Sequence, residues 1–338
     1  MKTLQITQPG EIILTDTPLP VIQPDEVLVK VCYVGFCGSD LSIYSGKNAL
    51  AKMPVIPGHE IGGTIEETGK DVPAHLIRGM SCTINPYTAC GNCSSCRNGR
   101  PNACAHNQTL GVQRDGAMRE FLAVAWKKII VDENISPVDF CLVEPMSVGF
   151  HAVERGKVIS RDTVMVLGCG MIGMGAIAGA ARRGAQVIAV DVNNCKLSMT
   201  ESFGATFTIN ASTESLRERL REITNHFGPD VVIEAAGTPA TYLTAIEEVA
   251  FTGRVVCIGY AKEDIAFETR LFVQKELDIR GSRNALPEDF SAVIEFMKKT
   301  TFAKEDLIGG VYPPEKAQEA LEIWKTNPDK IFRMLVEF

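Results

Sequence analysis

The run TVMVLGCGMIGMG, residues 163–175, joins five residues of strand character to three glycines spaced G-x-G-x-x-G. A short apolar segment followed by such a turn predicts a buried strand that passes directly into a helix. Gly168 permits the tight turn, Gly170 lets a pyrophosphate approach the backbone, and Gly173 allows the helix to press against the strand. By itself the glycine pattern is weak, since a turn of this composition needs no ligand. Its surroundings strengthen it: the Ala- and Gly-rich stretch continues to Gly184, and the next apolar run, QVIAV, ends in Asp191. A carboxylate there would accept the ribose hydroxyls of an adenosine. Gly168, Gly170, Ile172, Gly173 and Asp191 are therefore the expected dinucleotide-binding set. Val192, Asn193 and Asn194 follow Asp191, so no arginine waits for a 2′-phosphate, and the carboxylate would repel one. NAD is the expected coenzyme.

Two further runs, DVVIEAAG (230–237) and GRVVCIGY (253–260), alternate with helical stretches. This predicts a parallel sheet covered on both faces. Upstream of about residue 150 the chain changes character. EVLVKVCYVG, IGGTIEETG and FLAVAWKKIIV are short β-branched runs punctuated by Gly and Pro, and they predict a β-rich lobe with long loops. After about Arg283 the composition turns mixed, and IFRMLVEF closes the chain as an expected strand.

Composition limits the function classes. With 34 Lys and Arg against 41 Asp and Glu, the formal charge is −7, which argues against a nucleic-acid partner. No apolar run reaches the ~18 residues of a membrane span. The opening stretch MKTLQITQPGEIILTD has no apolar signal core and reads as a strand and turn. Eleven cysteines without an export signal suggest a reducing, cytoplasmic setting.

Four of those cysteines, Cys90, Cys93, Cys96 and Cys104, stand at C-x2-C-x2-C-x7-C. A disulfide framework would suit a small secreted domain, and a redox thiol cluster is the other rival. Tetrahedral zinc fits the spacing best, and four thiolates would fill its shell, making the site structural. A second, open metal site is sought in GFCGSD and GHE, which supply Cys37, His59 and Glu60. Each residue alone is unremarkable; together they offer a thiolate, an imidazole and a carboxylate for zinc. Alcohol oxidation by NAD needs the hydroxyl deprotonated, and an open zinc supplies that.

GFCGSD, GHE, CGNCSSCRNGRPNAC, CLVEPMSVGFHAVE and VLGCGMIGMG, in this order, resemble the zinc-dependent medium-chain dehydrogenases. The likeness spans essentially the entire chain and is strongest to the sorbitol and sugar-acid 5-dehydrogenase branch. It implies an α/β fold: a GroES-like β-rich catalytic domain over 1–150, a Rossmann doubly wound parallel-sheet domain over 151–285, and a return to the catalytic domain over 286–338, with the active site in the cleft. It implies catalytic zinc on Cys37 and His59 with Glu144 in the usual third-ligand position, Glu60 being the alternative. Ser39 matches a proton-relay position, and Asp40 is expected to orient His59. The expected chemistry is alkoxide formation on the catalytic zinc followed by hydride transfer to NAD, with a second, structural zinc elsewhere.

GSRNALPEDF, residues 281–290, resembles L-galactonate and L-gulonate 5-dehydrogenases more than sorbitol dehydrogenases. Arg283 is expected near the nicotinamide, and Arg114 stands where relatives often carry histidine. Both are candidate substrate-binding residues. The expected substrate is an acyclic sugar acid, with a neutral polyol or L-threonine as alternatives, and a homo-oligomer, dimer or tetramer, is implied. A zinc-free enone reductase lacks this metal set, and a non-catalytic NAD-binding protein is the remaining alternative of another class.

Overall fold

The structure, a computed structural model, describes residues 1–300, 304–327 and 331–338. Its contacts divide the chain into two units, Met1–Glu144 with Lys304–Phe338, and Pro145–Ala303.

The first unit is built around the strand Glu26–Gly35, in which Val27, Val29 and Val31 are buried while Lys30 is exposed. This period-2 alternation is what a strand with one face on the core requires. On one side it pairs antiparallel with Glu60–Thr68, aligning Gly35 with Glu60. Its other side is shared: Phe121–Ala125 pairs with Glu26–Lys30, and Arg333–Glu337 pairs with Tyr33–Gly35. Gly35 thus faces Glu60 on one side and Leu335 on the other. The C-terminal strand is carried to the same sheet end as the GHE loop.

These strands belong to a seven-stranded sheet, and the first two strands, Lys2–Gln8 and Glu11–Asp16, form an antiparallel pair beside it. FLAVAWKKIIV is not one strand but two, Phe121–Ala125 and Ile129–Val131, broken by a 3-10 turn at Trp126–Lys128.

The second unit carries six parallel strands in the order Phe207–Asn210, Gln186–Asp191, Thr163–Leu167, Val231–Glu234, Arg254–Cys257, Asp278–Gly281. Thr163–Leu167 is central, and the strand order reverses on either side of it. That reversal opens a crevice at its C-terminal end, where the glycine turn lies. Val164–Leu167 are buried, as expected of a strand covered on both faces.

The helices Val143–Gly156 and Met171–Arg182 meet closely through glycines. A Cβ on Gly149 would stand 2.2 Å from the Ile172 carbonyl oxygen, and one on Gly175 would stand 2.3 Å from that of Met146.

The segment 286–338, expected to return whole to the first domain, divides instead. The helix Pro287–Lys299 belongs to the second unit because its apolar face, including Phe290, Val293 and Phe296, is buried there. Phe296 lies 6.1 Å from both Phe150 and Phe203, ring to ring. Lys304–Phe338 joins the first unit.

Candidate active site

Cys37 caps the short helix Gly38–Tyr44, and the loop before His59 turns at Gly58, whose φ of +98° is a glycine conformation. The two loops are tied by Asp40. Its fully buried carboxylate accepts from Cys37 N at 2.8 Å and from Gly58 N at 3.3 Å. This corrects the role expected for Asp40. The carboxylate fastens the backbones on which Cys37 and His59 sit, while His59 Nδ1 has no hydrogen-bond partner. Backbone N–H groups that need an acceptor at a buried helix start draw the carboxylate away from the ring. Burial pushes the Asp40 carboxyl up, against the pull of His59 and the two N–H groups.

Cys37, His59 and Glu60 bring a sulfur, a ring nitrogen and a carboxylate oxygen within 4.8 Å of one another. Glu60 is fully buried at the head of its strand, and Gly35 makes room for it: a Cβ there would fall 2.5 Å from Glu60 Oε2. Arg333 Nε lies 2.6 Å from the same oxygen, an ion pair without the alignment of a hydrogen bond, so neither Glu60 oxygen has a hydrogen-bond partner. Burial pushes the Glu60 carboxyl up to about 7, Arg333 opposing this and Glu144 adding to it. For His59, burial alone would lower the pKa, but the neighbouring Cys37, Asp40 and Glu144 outweigh it and hold the ring well above its ordinary value.

A buried ring nitrogen and buried carboxylate oxygens without hydrogen bonds, beside a thiol, are costly unless a further partner such as a metal ion satisfies them. The donor set therefore suits zinc.

Glu144, the other candidate ligand, is buried in the first turn of its helix but lies outside this close group, and it accepts a hydrogen bond from the Tyr87 hydroxyl. Ser39 Oγ is buried and makes no hydrogen bond, so it is not engaged as a turn hydroxyl.

The four-cysteine cluster assembles as its spacing requires. Cys93 Sγ lies 3.5 Å from Cys96 Sγ and 3.7 Å from Cys104 Sγ. A disulfide would hold sulfurs at about 2 Å. The edge of a tetrahedron with Zn–S of about 2.3 Å is about 3.8 Å, close to what is seen. Donation from Ser95 and from the backbone N–H groups of Cys96 and Ala105 lowers the Cys93 thiol to about 5, toward the thiolate that a metal needs.

In the second unit Gly168 turns at φ +94°, and a Cβ on Gly173 would lie 1.9 Å from the Gly168 carbonyl oxygen. Gly170 caps the helix Met171–Arg182, and a Cβ on it would meet nothing within 4 Å. Ile172 follows in the first turn, where N–H groups lack intrahelical partners. An open glycine before a helix start is the cradle that a pyrophosphate fills.

Asp191 accepts from Cys169 N at 2.7 Å, Val192 N at 2.8 Å and Asn193 N at 3.0 Å. An ionised carboxylate has about four acceptor positions, so the turn occupies most of them and leaves room for a ribose hydroxyl.

Arg283 is half-buried just beyond the strand Asp278–Gly281, and Arg114 is half-buried with its Nε making no hydrogen bond. The sequence reading missed Arg333 and Tyr87. An arginine between the apolar residues of IFRML was a signal for a buried ion pair; nothing in NPYTAC marked Tyr87.

Comparison with known proteins identifies both units. Residues 23–133 match the alcohol dehydrogenase GroES-like domain, and residues 172–299 match the zinc-binding dehydrogenase domain. L-galactonate-5-dehydrogenase of Escherichia coli K12 is 31% identical over 100% of this chain and 99% of its own length. Sorbitol dehydrogenase of Bacillus subtilis is 32% identical over 95% of this chain and 93% of its own.

Among solved structures, the rspB alcohol dehydrogenase of Escherichia coli CFT073, complexed with NADH, superposes with a TM-score of 0.91 at 28% identity, covering 100% of this chain and 99% of that one. A zinc-binding dehydrogenase of Sinorhizobium meliloti bound to NADP gives the same score at 27% identity, with the same coverage. With both domain types matched and a full-length relative above 30% identity, the chain belongs to the zinc-type medium-chain alcohol dehydrogenase family, a GroES-like domain joined to a Rossmann domain in an enzyme that oxidises CH–OH groups with a nicotinamide coenzyme.

Proposed function

We propose that this enzyme oxidises a secondary hydroxyl of an acyclic sugar acid, of the L-gulonate or L-galactonate type, to the keto sugar acid, with NAD as acceptor. The observation that carries the chemistry is the group Cys37, His59 and Glu60, whose buried nitrogen and carboxylate oxygens lack hydrogen-bond partners. These three residues would hold the catalytic zinc, with Glu144 as an exchange ligand close by, and Cys90, Cys93, Cys96 and Cys104 would hold a structural one.

When bound, zinc acidifies the substrate hydroxyl and the dinucleotide accepts the hydride. The protein's own residues do the rest. Asp40 fixes the loops that present Cys37 and His59. Ser39 Oγ, buried and unbonded, takes the hydroxyl proton toward solvent. Arg333 holds Glu60 in place and opposes the burial that favours its protonation. Asp191 receives the ribose and repels a 2′-phosphate, which favours NAD even though an NADP complex is known for one neighbour.

For the substrate, the support is the end-to-end likeness to an L-galactonate-5-dehydrogenase together with Arg114, a half-buried cation without a carboxylate partner. The kcat/KM for L-gulonate, L-galactonate and L-idonate should exceed that for sorbitol, xylitol and L-threonine. The sugar-acid assignment fails if a neutral polyol wins by about tenfold, some 1.4 kcal/mol of transition-state preference. A second test concerns the relay: Ser39→Ala should slow turnover most at low pH, and wild-type rates across the pH range would contradict the role.

A further inference from the structure

Lys128 ends the 3-10 turn Trp126–Lys128, and its Nζ donates to the Tyr87 carbonyl oxygen at 2.5 Å. The Tyr87 hydroxyl bonds Glu144, whose charge is felt by His59 and Glu60. Lys128 is thus linked through Tyr87 to Glu144, the carboxylate whose charge reaches the Cys37, His59 and Glu60 group. Arg114 closes the turn that starts at Leu110, with Gly111 N donating to its carbonyl oxygen at 2.7 Å. Among the described residues no carboxylate lies within 4 Å of either cation. Burial first, and the Arg114 charge second, push the Lys128 ammonium down to about 8. Two other enclosed arginines do have a carboxylate, Arg254 meeting Asp162 at 2.7 Å and Arg333 meeting Glu60 at 2.6 Å, and Arg119 donates from Nε to the Gly116 carbonyl oxygen, whereas Arg114 Nε makes no hydrogen bond.

Two like charges in a half-desolvated place, without a counter-ion, oppose folding. Such an arrangement marks a functional site when an anion is the missing partner. We propose that Lys128 and Arg114 together form the subsite that binds the acidic group of the substrate beside the catalytic metal group. Arg114 offers a planar fork with a buried, unbonded Nε, and Lys128 offers a compact charge whose remaining protons are not committed to Tyr87. The chemistry they share is recognition of an anionic oxygen group, carried by a carboxylate or by a phosphomonoester. This inference rests on the sugar-acid reading for its ligand, but its test does not depend on that reading.

The test uses the full-length, metal-loaded enzyme at saturating NAD, as wild type, Lys128→Gln and Arg114→Gln. Substrates are L-galactonate, galactitol 1-phosphate and sorbitol. Either variant should lower the ratio of kcat/KM for the better anionic substrate to that for sorbitol by about tenfold or more, chiefly through KM. Whichever anion the wild type prefers identifies the group.

Inorganic phosphate and L-galactonate should also inhibit sorbitol oxidation competitively, and the variants should weaken that inhibition by about tenfold. If wild-type enzyme prefers sorbitol, the sugar-acid reading fails while this inhibition still decides the subsite. Ratios and inhibition constants within about twofold of wild type in both variants, or no inhibition of wild type by either anion, would overturn the proposal. Should a glutamine variant fold poorly, Lys128→Arg, which keeps the charge, is expected to retain the anion preference, and Lys128→Met to lose it.

Discussion

At the scale of single residues the site depends on buried polar groups that make no hydrogen bond within the protein. Cys37→Ala or His59→Ala should remove one equivalent of metal while sparing the four-cysteine site, and turnover should fall by several kcal/mol of barrier, on the order of 10²- to 10³-fold. Metal analysis beside steady-state kinetics reads both. Glu60 gives a pH signature. Its carboxyl is at about 7 in the metal-free fold against an ordinary 4.5, so the folded chain binds a proton that the unfolded chain has released. Between those values its contribution to stability declines as pH rises. Urea denaturation of the metal-free proteins, on either side of that window, should show the stability of wild type relative to Glu60→Gln fall with rising pH; a constant difference would contradict it. Arg333→Met leaves Glu60 buried without its cation and should cost about 3–5 kcal/mol in the same assay. Most of this site was legible in the sequence, since thiol, imidazole and carboxylate in glycine-bounded loops announce metal chemistry. What was not legible is distance: spacing alone could not show that Glu60, opposite Gly35, joins Cys37 and His59 while Glu144 turns to Tyr87, nor that Asp40 serves two backbones rather than a ring.

At the scale of elements two joints matter most. Helix Met171–Arg182 presses on the turn that feeds it, and Gly173→Ala would put a methyl 1.9 Å from a carbonyl oxygen. A loss of about 1–3 kcal/mol and weaker NAD binding are expected, read by thermal denaturation and by titration with NADH. If Asp191 receives the ribose as proposed, Asp191→Ala removes hydrogen bonds to a charged acceptor, and NAD affinity should drop by about 1.5–3 kcal/mol while discrimination against NADP relaxes. Unaltered coenzyme selectivity would refute the role of Asp191. In the cysteine lobe, Cys93→Ser or Cys104→Ser should lower melting temperature and soluble yield before chemistry is touched, because a metal held there would contribute folding energy. These elements could be read in advance because period and punctuation coincide: VLGCGMIGMG places strand, turn and helix without ambiguity. FLAVAWKKIIV shows the limit, since its apolar run gave no sign of the 3-10 turn at Trp126–Lys128 that breaks it and aims Lys128 at Tyr87.

At the scale of the whole molecule, the chain builds a β-rich unit that carries the candidate metal ligands and a six-stranded parallel-sheet unit, from one sequence in which the first unit is discontinuous. The C-terminal strand closes the first sheet and delivers Arg333 to Glu60, so an ion pair spanning most of the chain length depends on that return. Composition marked the change near residue 150 but not the division of the last segment, because an amphipathic helix such as Pro287–Lys299 carries no label for the unit it covers. Family membership fixes the class of reaction; the proposal of a sugar-acid substrate rests on charge. Among the described residues the cations Arg114 and Lys128 have no carboxylate beside them, which a neutral polyol would not explain. The most direct measurement is NADH formation by the metal-loaded, full-length enzyme with L-galactonate and sorbitol side by side. The account predicts a kcat/KM at least about tenfold higher for L-galactonate, and a preference of about tenfold or more for sorbitol would contradict it.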